Sequence, residues 1–173
     1  REMIRSYWYL YRSKYSKSGC IATQYLFSTS GFVPDLGMIV VWKESDILKR
    51  SIGSASKNIE SLFKIYITNS QSYARILGMN FSEHIEIEKT LIIVWTIDYN
   101  IYIYNVYSGL IIATLIADLS YMTVYNNITI EPKSIYTNNI SECFFNKDNS
   151  KIATIAGKSC IIWNITYDNI NNT

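Results

Sequence analysis

The chain lacks most of the residue patterns on which catalysis depends. It has one histidine, His84, so no Cys–His or Ser–His–Asp constellation can be named. It has no glycine-rich phosphate loop of the GxxxxGK[ST] or GxGxxG kind, and no cysteine spacing resembles the paired CxxC of a structural zinc site. These absences predict a protein that is not an enzyme and that holds no metal and no other cofactor.

An excess of charge of one sign is also lacking. The 173 residues carry a net charge of +2, which is too close to neutral to commit the whole surface to nucleic acid or to an anionic membrane. The longest uncharged runs fall short of the ~20 apolar residues that a spanning helix needs. We therefore expect no transmembrane segment, and only a local patch could bind nucleic acid or lipid.

Glycine and proline are scarce, with 7 and 2 residues, whereas 49% of the chain is hydrophobic. Ile, Tyr and Asn dominate the composition. Isoleucine and tyrosine are β-branched and aromatic strand formers, and helix formers such as Ala and Leu are less prominent. The composition predicts an all-β fold.

Short apolar runs separated by polar turns recur along the chain. In the middle, runs at 90–95, 101–106 and 110–115 are joined by turns at 98–100 and 108–109. This pattern predicts three antiparallel strands connected by two tight turns. Further copies of the pattern lie at 141–145, 151–156 and 160–165 and, more weakly, at 20–23 and 38–42 with a possible fourth strand at 47–52.

Aligning the copies places Trp42, Tyr104 and Trp163 in equivalent positions about 60 residues apart. With these aromatics and the segments 146–154 and 161–165, the chain resembles the WD-repeat family. It departs from the family pattern because Asn follows Tyr104 and Trp163, Lys follows Trp42, and no Gly-His pair opens any copy. The family's His, Ser/Thr, Trp and Asp hydrogen-bond tetrad therefore cannot be complete in any copy.

The resemblance implies a partial β-propeller of four-stranded antiparallel blades. Propellers typically close with about 4–8 blades, so the remaining blades are expected from the same longer chain or from another subunit. The predicted organisation is a basic aromatic segment at 1–17 and a propeller segment at 18–173, with blades at about 18–52, 73–116 and 138–173 and insertions at 53–74 and 117–138.

For function, the resemblance implies a scaffold that binds protein partners within a multi-subunit complex. The two insertions are expected to emerge on the same face as the turn of Asp98, Tyr99 and Asn100, which makes that turn a candidate partner-binding site. Asp98 and Asp148 are also expected to accept backbone hydrogen bonds within their own turns. With Trp42, Tyr104 and Trp163, these two aspartates mark the structural positions of the repeat.

Residues 1–17 carry the strongest local charge and give the alternative function. Arg and Lys side chains could neutralise phosphates while aromatic rings stack on bases or lie at a lipid headgroup interface. The same residues are also explained by a structural role alone, either as the packed stripe of a helix or as a strand of a blade. The candidate contacts to RNA or acidic lipid are Arg5, Trp8, Arg12, Lys14 and Lys17.

Two smaller groups of residues favour structural roles. Cys20, Cys143 and Cys160 are expected to be buried, reduced thiols on strands, which fits an intracellular protein of the cytoplasm or nucleus. His84 lies near three glutamates, a combination that can bind metal. The alternation over 85–88 instead predicts a half-exposed strand with an acidic outer side.

Overall fold

The computed structural model describes residues 6–29, 36–51, 60–66, 68–69, 72–73, 75–116 and 139–165. The described residues form an all-β protein with one short α-helix, and the strands pair in antiparallel order. Three sheets are built from strands that follow one another in the chain. Sheet 1 has the order β1-β2-β3-β4, sheet 2 has β7-β8-β9-β10 and sheet 3 has β11-β12-β13, while β5 and β6 form a separate hairpin.

The elements have the following bounds. In sheet 1 they are β1 Ser6–Tyr15, β2 Cys20–Thr29, β3 Leu36–Lys43 and β4 Phe63–Tyr66, with helix α1 at Glu44–Ser51. The hairpin is β5 Thr68–Asn69 and β6 Ser72–Tyr73. Sheet 2 consists of β7 Ile76–Phe81, β8 Leu91–Thr96, β9 Asn100–Asn105 and β10 Ile111–Ile116, with a 3-10 turn at Ile87–Lys89. Sheet 3 consists of β11 Ile140–Phe145, β12 Lys151–Ala156 and β13 Ser159–Asn164.

Sheet 2 lies between the other two sheets because its central strand is apolar on both faces. Every residue of β8 is buried. Since successive side chains of a strand point to opposite faces, Ile92 and Val94 pack against sheet 1, whereas Leu91, Ile93 and Trp95 pack against sheet 3. The core therefore consists of two apolar layers, one on each side of sheet 2.

Polar contacts fix the sheets relative to one another. Gln24 of sheet 1 is fully buried and donates a hydrogen bond from Nε2 to the carbonyl oxygen of Ile76 in sheet 2 at 2.9 Å. On the other side, Asn80 Nδ2 donates to the Glu142 carboxylate and to the Cys143 carbonyl, both at 2.6 Å. Buried polar groups are costly when unpaired, so these bonds favour one relative placement of the sheets.

The boundary predicted at residue 18 does not match the sheets. Residues 6–15 are the strand β1, which pairs with β2 along its whole length, so the first sheet begins within the segment 1–17 that was expected to be separate from it. The fourth strand of this sheet is β4 and not 47–52, most of which lies in helix α1. The predicted insertion at 53–74 therefore contains β4 and the small hairpin, while the insertion at 117–138 lies outside the described residues.

Two further predictions need correction. Residues 85–88 do not form a strand, because the chain bends there and enters the 3-10 turn. Cys20 and Cys143 are buried free thiols, but Cys160 is exposed. Trp163 is half-buried and packs at the border of the layer between sheets 2 and 3. Trp163 stays partly exposed because β13 is an edge strand of sheet 3 among the described residues.

Candidate interaction site

The three aligned aromatics occupy matching places in the three sheets. Trp42, Tyr104 and Trp163 are each the last residue but one of the third strand of their sheet. The two tryptophans also make the same bond, from the indole Nε1 to a threonine hydroxyl on the second strand. The Trp42–Thr23 distance is 3.0 Å, and the Trp163–Thr154 distance is 3.1 Å. These bonds stabilise the pairing of the second and third strands.

Sheet 2 replaces both members of this pair. Its third strand carries Tyr104, and register places Val94 where the other sheets have threonine. Both side chains are buried in the layer shared with sheet 1, and the ring of Tyr104 lies 6.4 Å from that of Phe63. Burial raises the pKa of Tyr104 to about 12. The apolar pair suits the sheet that is covered on both faces.

The Asp98 turn holds its carboxylate within the turn itself. The hydroxyl of Thr96 donates to Asp98 Oδ1, and Asn100 Nδ2 donates to Asp98 Oδ2 at 2.9 Å. Tyr99 has a positive φ of 64°, and Ile97 N–H donates to the carbonyl of Arg75, just before β7, at 3.0 Å. The turn therefore lies beside the chain entering sheet 2, and Asp98 holds the turn's geometry.

The Asp148 turn has a similar internal arrangement. Asp148 Oδ1 accepts bonds from Ser150 N–H at 3.0 Å and from the Ser150 hydroxyl at 2.6 Å. These bonds lower the pKa of Asp148. The neighbouring Asn149 has a positive φ of 60°, and its Oδ1 accepts a bond from Glu83 N–H of sheet 2 at 2.7 Å. This turn thus also links sheets 2 and 3.

Strand geometry places the side chains of the basic aromatic segment on both faces of sheet 1. Residues directly opposite each other in an antiparallel pair point to the same face. Arg12 and Lys14 lie opposite Gln24 and Ala22 and are half-buried, so they share the side of β2 that faces sheet 2. Lys17 pairs with Glu83, and Arg12 lies over the ring of Tyr11 at 4.6 Å. The side chain of Trp8 and all of Arg5 lie outside the described residues.

The exposed apolar residues of sheet 2 are concentrated at its outer edge. We call Tyr107, Leu110, Ile111 and Ile112 the outer edge patch; each of these side chains is between 51% and 66% exposed. The patch includes the start of β10, which pairs with β9 on one side and is an edge strand among the described residues. Contiguous exposed apolar residues often mark binding sites.

A bulge shapes the backbone of this patch. The register of β10 against β9 shifts between Ile111 and Ala113, so Ile112 is the extra residue. Bulges are common at sheet edges, where they change the direction of a side chain. The sequence does not mark the patch as a site, because the apolar run at 110–115 only indicates a strand. No sequence signal identified β10 as an edge.

Other parts of the described chain offer less for chemistry. Among the described residues, no group of three or more His, Cys, Asp or Glu side chains is placed to hold a metal ion, and no helix is long and apolar enough to cross a membrane. His84 lies 2.9 Å from the Ser82 hydroxyl through Nδ1. Partial burial, followed by the charge of Lys89, lowers the pKa of His84.

No family model matches the chain, and no curated protein matches it. Among solved structures, the chain is similar to one described as "KlHsv2 with loop 6CD replaced by a Gly-Ser linker", at 8% identity and a TM-score of 0.44. The match covers 91% of this chain and 53% of that one, so the chain spans about half the length of that structure. A similarity of this strength establishes neither a common fold nor a common function.

Proposed function

We propose that the protein is a WD-repeat-like scaffold that binds a protein partner within a larger assembly. The observation that carries this proposal is the outer edge patch, where four exposed apolar side chains lie on or just before β10, an edge strand among the residues that the structure describes. An edge strand presents unpaired N–H and C=O groups on which an extended peptide can add as a further strand. The apolar side chains then supply buried area.

The repeated arrangement of the sheets supports the propeller part of the proposal. Each sheet carries its aromatic at the same place in the third strand, and two of the sheets share the tryptophan–threonine bond. In a radial stack of such sheets, β10 is an outermost strand. A partner can reach this strand without disturbing the apolar layers between the sheets.

The alternative, binding of RNA or acidic lipid through residues 1–17, has less support. Stacking and phosphate contact require basic and aromatic side chains on one accessible surface. Register separates Arg12 and Lys14 from Tyr15, which points to the opposite face of sheet 1, and Tyr11 is the one aromatic ring recorded in contact with a basic side chain among the described residues. Lys17 forms an ion pair with Glu83. We therefore favour a protein partner at the outer edge patch.

The test compares two variants of the whole chain as affinity baits in cell extract. Leu110→Lys/Ile112→Lys adds two charges to the patch, and Ile85→Lys changes a side chain that is 77% exposed in the β7–β8 connection. We expect a partner protein to be retained by the wild type and by the Ile85 control but lost from the double variant. Binding measured with the purified partner then gives the factor by which the double variant loses affinity.

Equal retention of every bound protein by all three baits would contradict the proposal. Binding of labelled RNA or of vesicles containing acidic lipid is measured in parallel. If such binding weakens with added salt and is lost in Lys14→Glu/Lys17→Glu, while no protein depends on the patch, the alternative function replaces the scaffold.

A further inference from the structure

The side-chain amide of Asn80 joins sheet 2 to sheet 3. Asn80 lies in β7, and its Nδ2 donates one hydrogen bond to Oε1 of Glu142 and another to the carbonyl oxygen of Cys143, both at 2.6 Å. The amide nitrogen of an asparagine carries two hydrogens, so both of them are used in contacts with sheet 3. Since Cys143 is fully buried, the second bond lies within the interface between the sheets.

Asn80 is also the first residue of an N-glycosylation sequon. Asn80, Phe81 and Ser82 match the pattern Asn-X-Ser/Thr, in which X is any residue except proline. The sequence contains five such sequons, which begin at Asn80, Asn127, Asn139, Asn164 and Asn171. The side chain of Asn139 is exposed just before β11. The chain therefore holds one sequon inside an interface between sheets and another in an exposed position.

N-glycosylation changes the nitrogen that makes both of these bonds. Glycosyl transfer forms a bond between Asn80 Nδ2 and the first carbon of a sugar. It breaks the bond between that carbon and a lipid-linked pyrophosphate, which leaves, and the displaced amide proton is released to solvent. The modified nitrogen keeps a single hydrogen. Because both acceptors lie 2.6 Å from Nδ2, no sugar ring fits between this nitrogen and sheet 3.

A change of side-chain rotamer does not remove the conflict. Asn80 is half-buried, so a glycosylated side chain could place its sugar in solvent only by turning away from sheet 3. Both hydrogen bonds would then be lost, and the carbonyl of the buried Cys143 would lose its bond from Asn80. Buried acceptors are costly to leave without a partner. A glycan on Asn80 therefore disfavours the joining of sheets 2 and 3 in either orientation.

The sequon can be modified only before the fold is complete. In the folded chain Ser82 is 2% exposed, and its hydroxyl oxygen accepts a hydrogen bond from Leu91 N–H at 2.9 Å. Glu142, however, follows Asn80 by 62 residues. At about 5–20 residues per second, synthesis of sheet 3 follows that of the sequon by about 3–12 s. A chain that enters a compartment containing the transferase therefore exposes Asn80 before its partners exist.

We propose that the chain folds in a compartment without N-glycosyl transfer, such as the cytosol, and that the amide of Asn80 must stay unmodified for sheet 3 to join sheet 2. The buried free thiols of Cys20 and Cys143 agree with a reducing compartment. The inference goes beyond the proposed scaffold function and does not depend on it, because it concerns the interface between two sheets and not the outer edge patch.

The test directs the full 173-residue chain into the secretory pathway of cultured cells behind a cleavable signal sequence. The first variant keeps the sequon at Asn80 and removes the others by Asn127→Gln, Asn139→Gln, Asn164→Gln and Asn171→Gln. It is produced with and without an inhibitor of lipid-linked oligosaccharide synthesis, and resistance to a protease reports folding. We expect the glycosylated form to be digested rapidly, whereas the unmodified form resists as well as the same variant made in the cytosol.

The matched control moves the single glycan to the exposed sequon at Asn139. Ser82→Ala removes the first sequon but keeps the amide of Asn80, and the sequons at 127, 164 and 171 are removed as before. We expect a glycan on Asn139 to leave the protease resistance unchanged. The same control variant made with the inhibitor lacks the Ser82 hydroxyl but carries no glycan, so it measures the effect of Ser82→Ala separately.

Four outcomes would overturn the proposal. Equal resistance of the forms with and without a glycan on Asn80 shows that the interface tolerates the sugar. A folded chain in the secretory pathway with Asn80 unmodified shows that sheet 2 hides the sequon before transfer. An inhibited chain that is digested as fast as the glycosylated one shows that the glycan is not the cause. An equal loss of resistance with the glycan on Asn139 shows that the position of the glycan is irrelevant.

Discussion

Strands β8 and β12 occupy the same place in their sheets but have different surroundings. Strand β8 reads Leu-Ile-Ile-Val-Trp-Thr and is buried at every residue. Strand β12 reads Lys-Ile-Ala-Thr-Ile-Ala, and only its second and fourth residues are buried. An unbroken apolar strand is typical of burial on both faces, and an alternating one of burial on a single face. Position in the stack, rather than strand order within the sheet, explains the difference.

The largest expected effect comes from truncating equivalent residues of the two sheets. Ile103→Ala removes a side chain that is 4% exposed and should lower the free energy of unfolding by about 2–5 kcal/mol. Ile162→Ala changes a side chain that is 56% exposed and should cost about 0.5 kcal/mol or less in a monomeric chain. Urea unfolding at concentrations that keep the chain monomeric measures both values. Equal losses would contradict the difference in burial.

The next effect tests how sheet 2 accommodates its buried tryptophan. A Cβ atom at Gly78 would lie 2.1 Å from Cζ2 of Trp95, the residue opposite it. Gly78→Ala should therefore force Trp95 or the strand to move, at a cost of about 1–3 kcal/mol. Gly37→Ala is the control, because its nearest neighbour would be 3.2 Å away. Thermal unfolding gives both values, and a larger loss at Gly37 would show that Trp95 can move freely.

A smaller effect is expected from giving sheet 3 the apolar pair of sheet 2. Thr154→Val removes the acceptor of the Trp163 indole and should cost about 1 kcal/mol. Combining this change with Trp163→Tyr gives sheet 3 the same residue pair as Val94 and Tyr104 of sheet 2. In a double-mutant cycle, the two changes should cost less together than the sum of their separate costs. Strict additivity would mean that the hydrogen bond contributes nothing measurable.

The smallest effect concerns the β7–β8 connection, which is longer than the matching turns of sheets 1 and 3. The pKa of His84 is lowered from 6.5 by partial burial and by Lys89. The unfolded chain therefore binds more protons between the lowered value and pH 6.5, so stability should rise with pH through that window. Urea midpoints of the wild type and His84→Gln check this. The same slope in both proteins would exclude His84 as the cause.

The middle of the chain could be predicted from its sequence because its patterns are local. The runs at 101–106 and 110–115 lie within one residue of β9 and β10, and the turns between the strands fall where polar residues indicate them. The first sheet was harder. The pattern of residues 1–17 left a helical stripe and a blade strand as alternatives, and the structure has the strand, where Arg12 and Lys14 are tolerated because β1 is an edge strand among the described residues.

The candidate site depended on information that the sequence does not carry. Residues 47–52 are a possible fourth strand by their place in the repeat, but Glu44 and Asp46 favour the start of a helix. The outer edge patch contains the same residue types as a buried strand. Whether such a strand is covered depends on the order of strands and sheets, which local patterns do not determine.

The consecutive order of strands within each sheet has a consequence for folding. Every pairing in the three sheets joins neighbours along the chain. Apart from the connection between β3 and β4, which contains helix α1, the loops that must close are therefore short and their entropic cost is small. Contacts that are local in sequence form quickly. During synthesis, sheet 1 can pair before sheet 2 has emerged from the ribosome, and each new sheet then finds a completed apolar face to condense on.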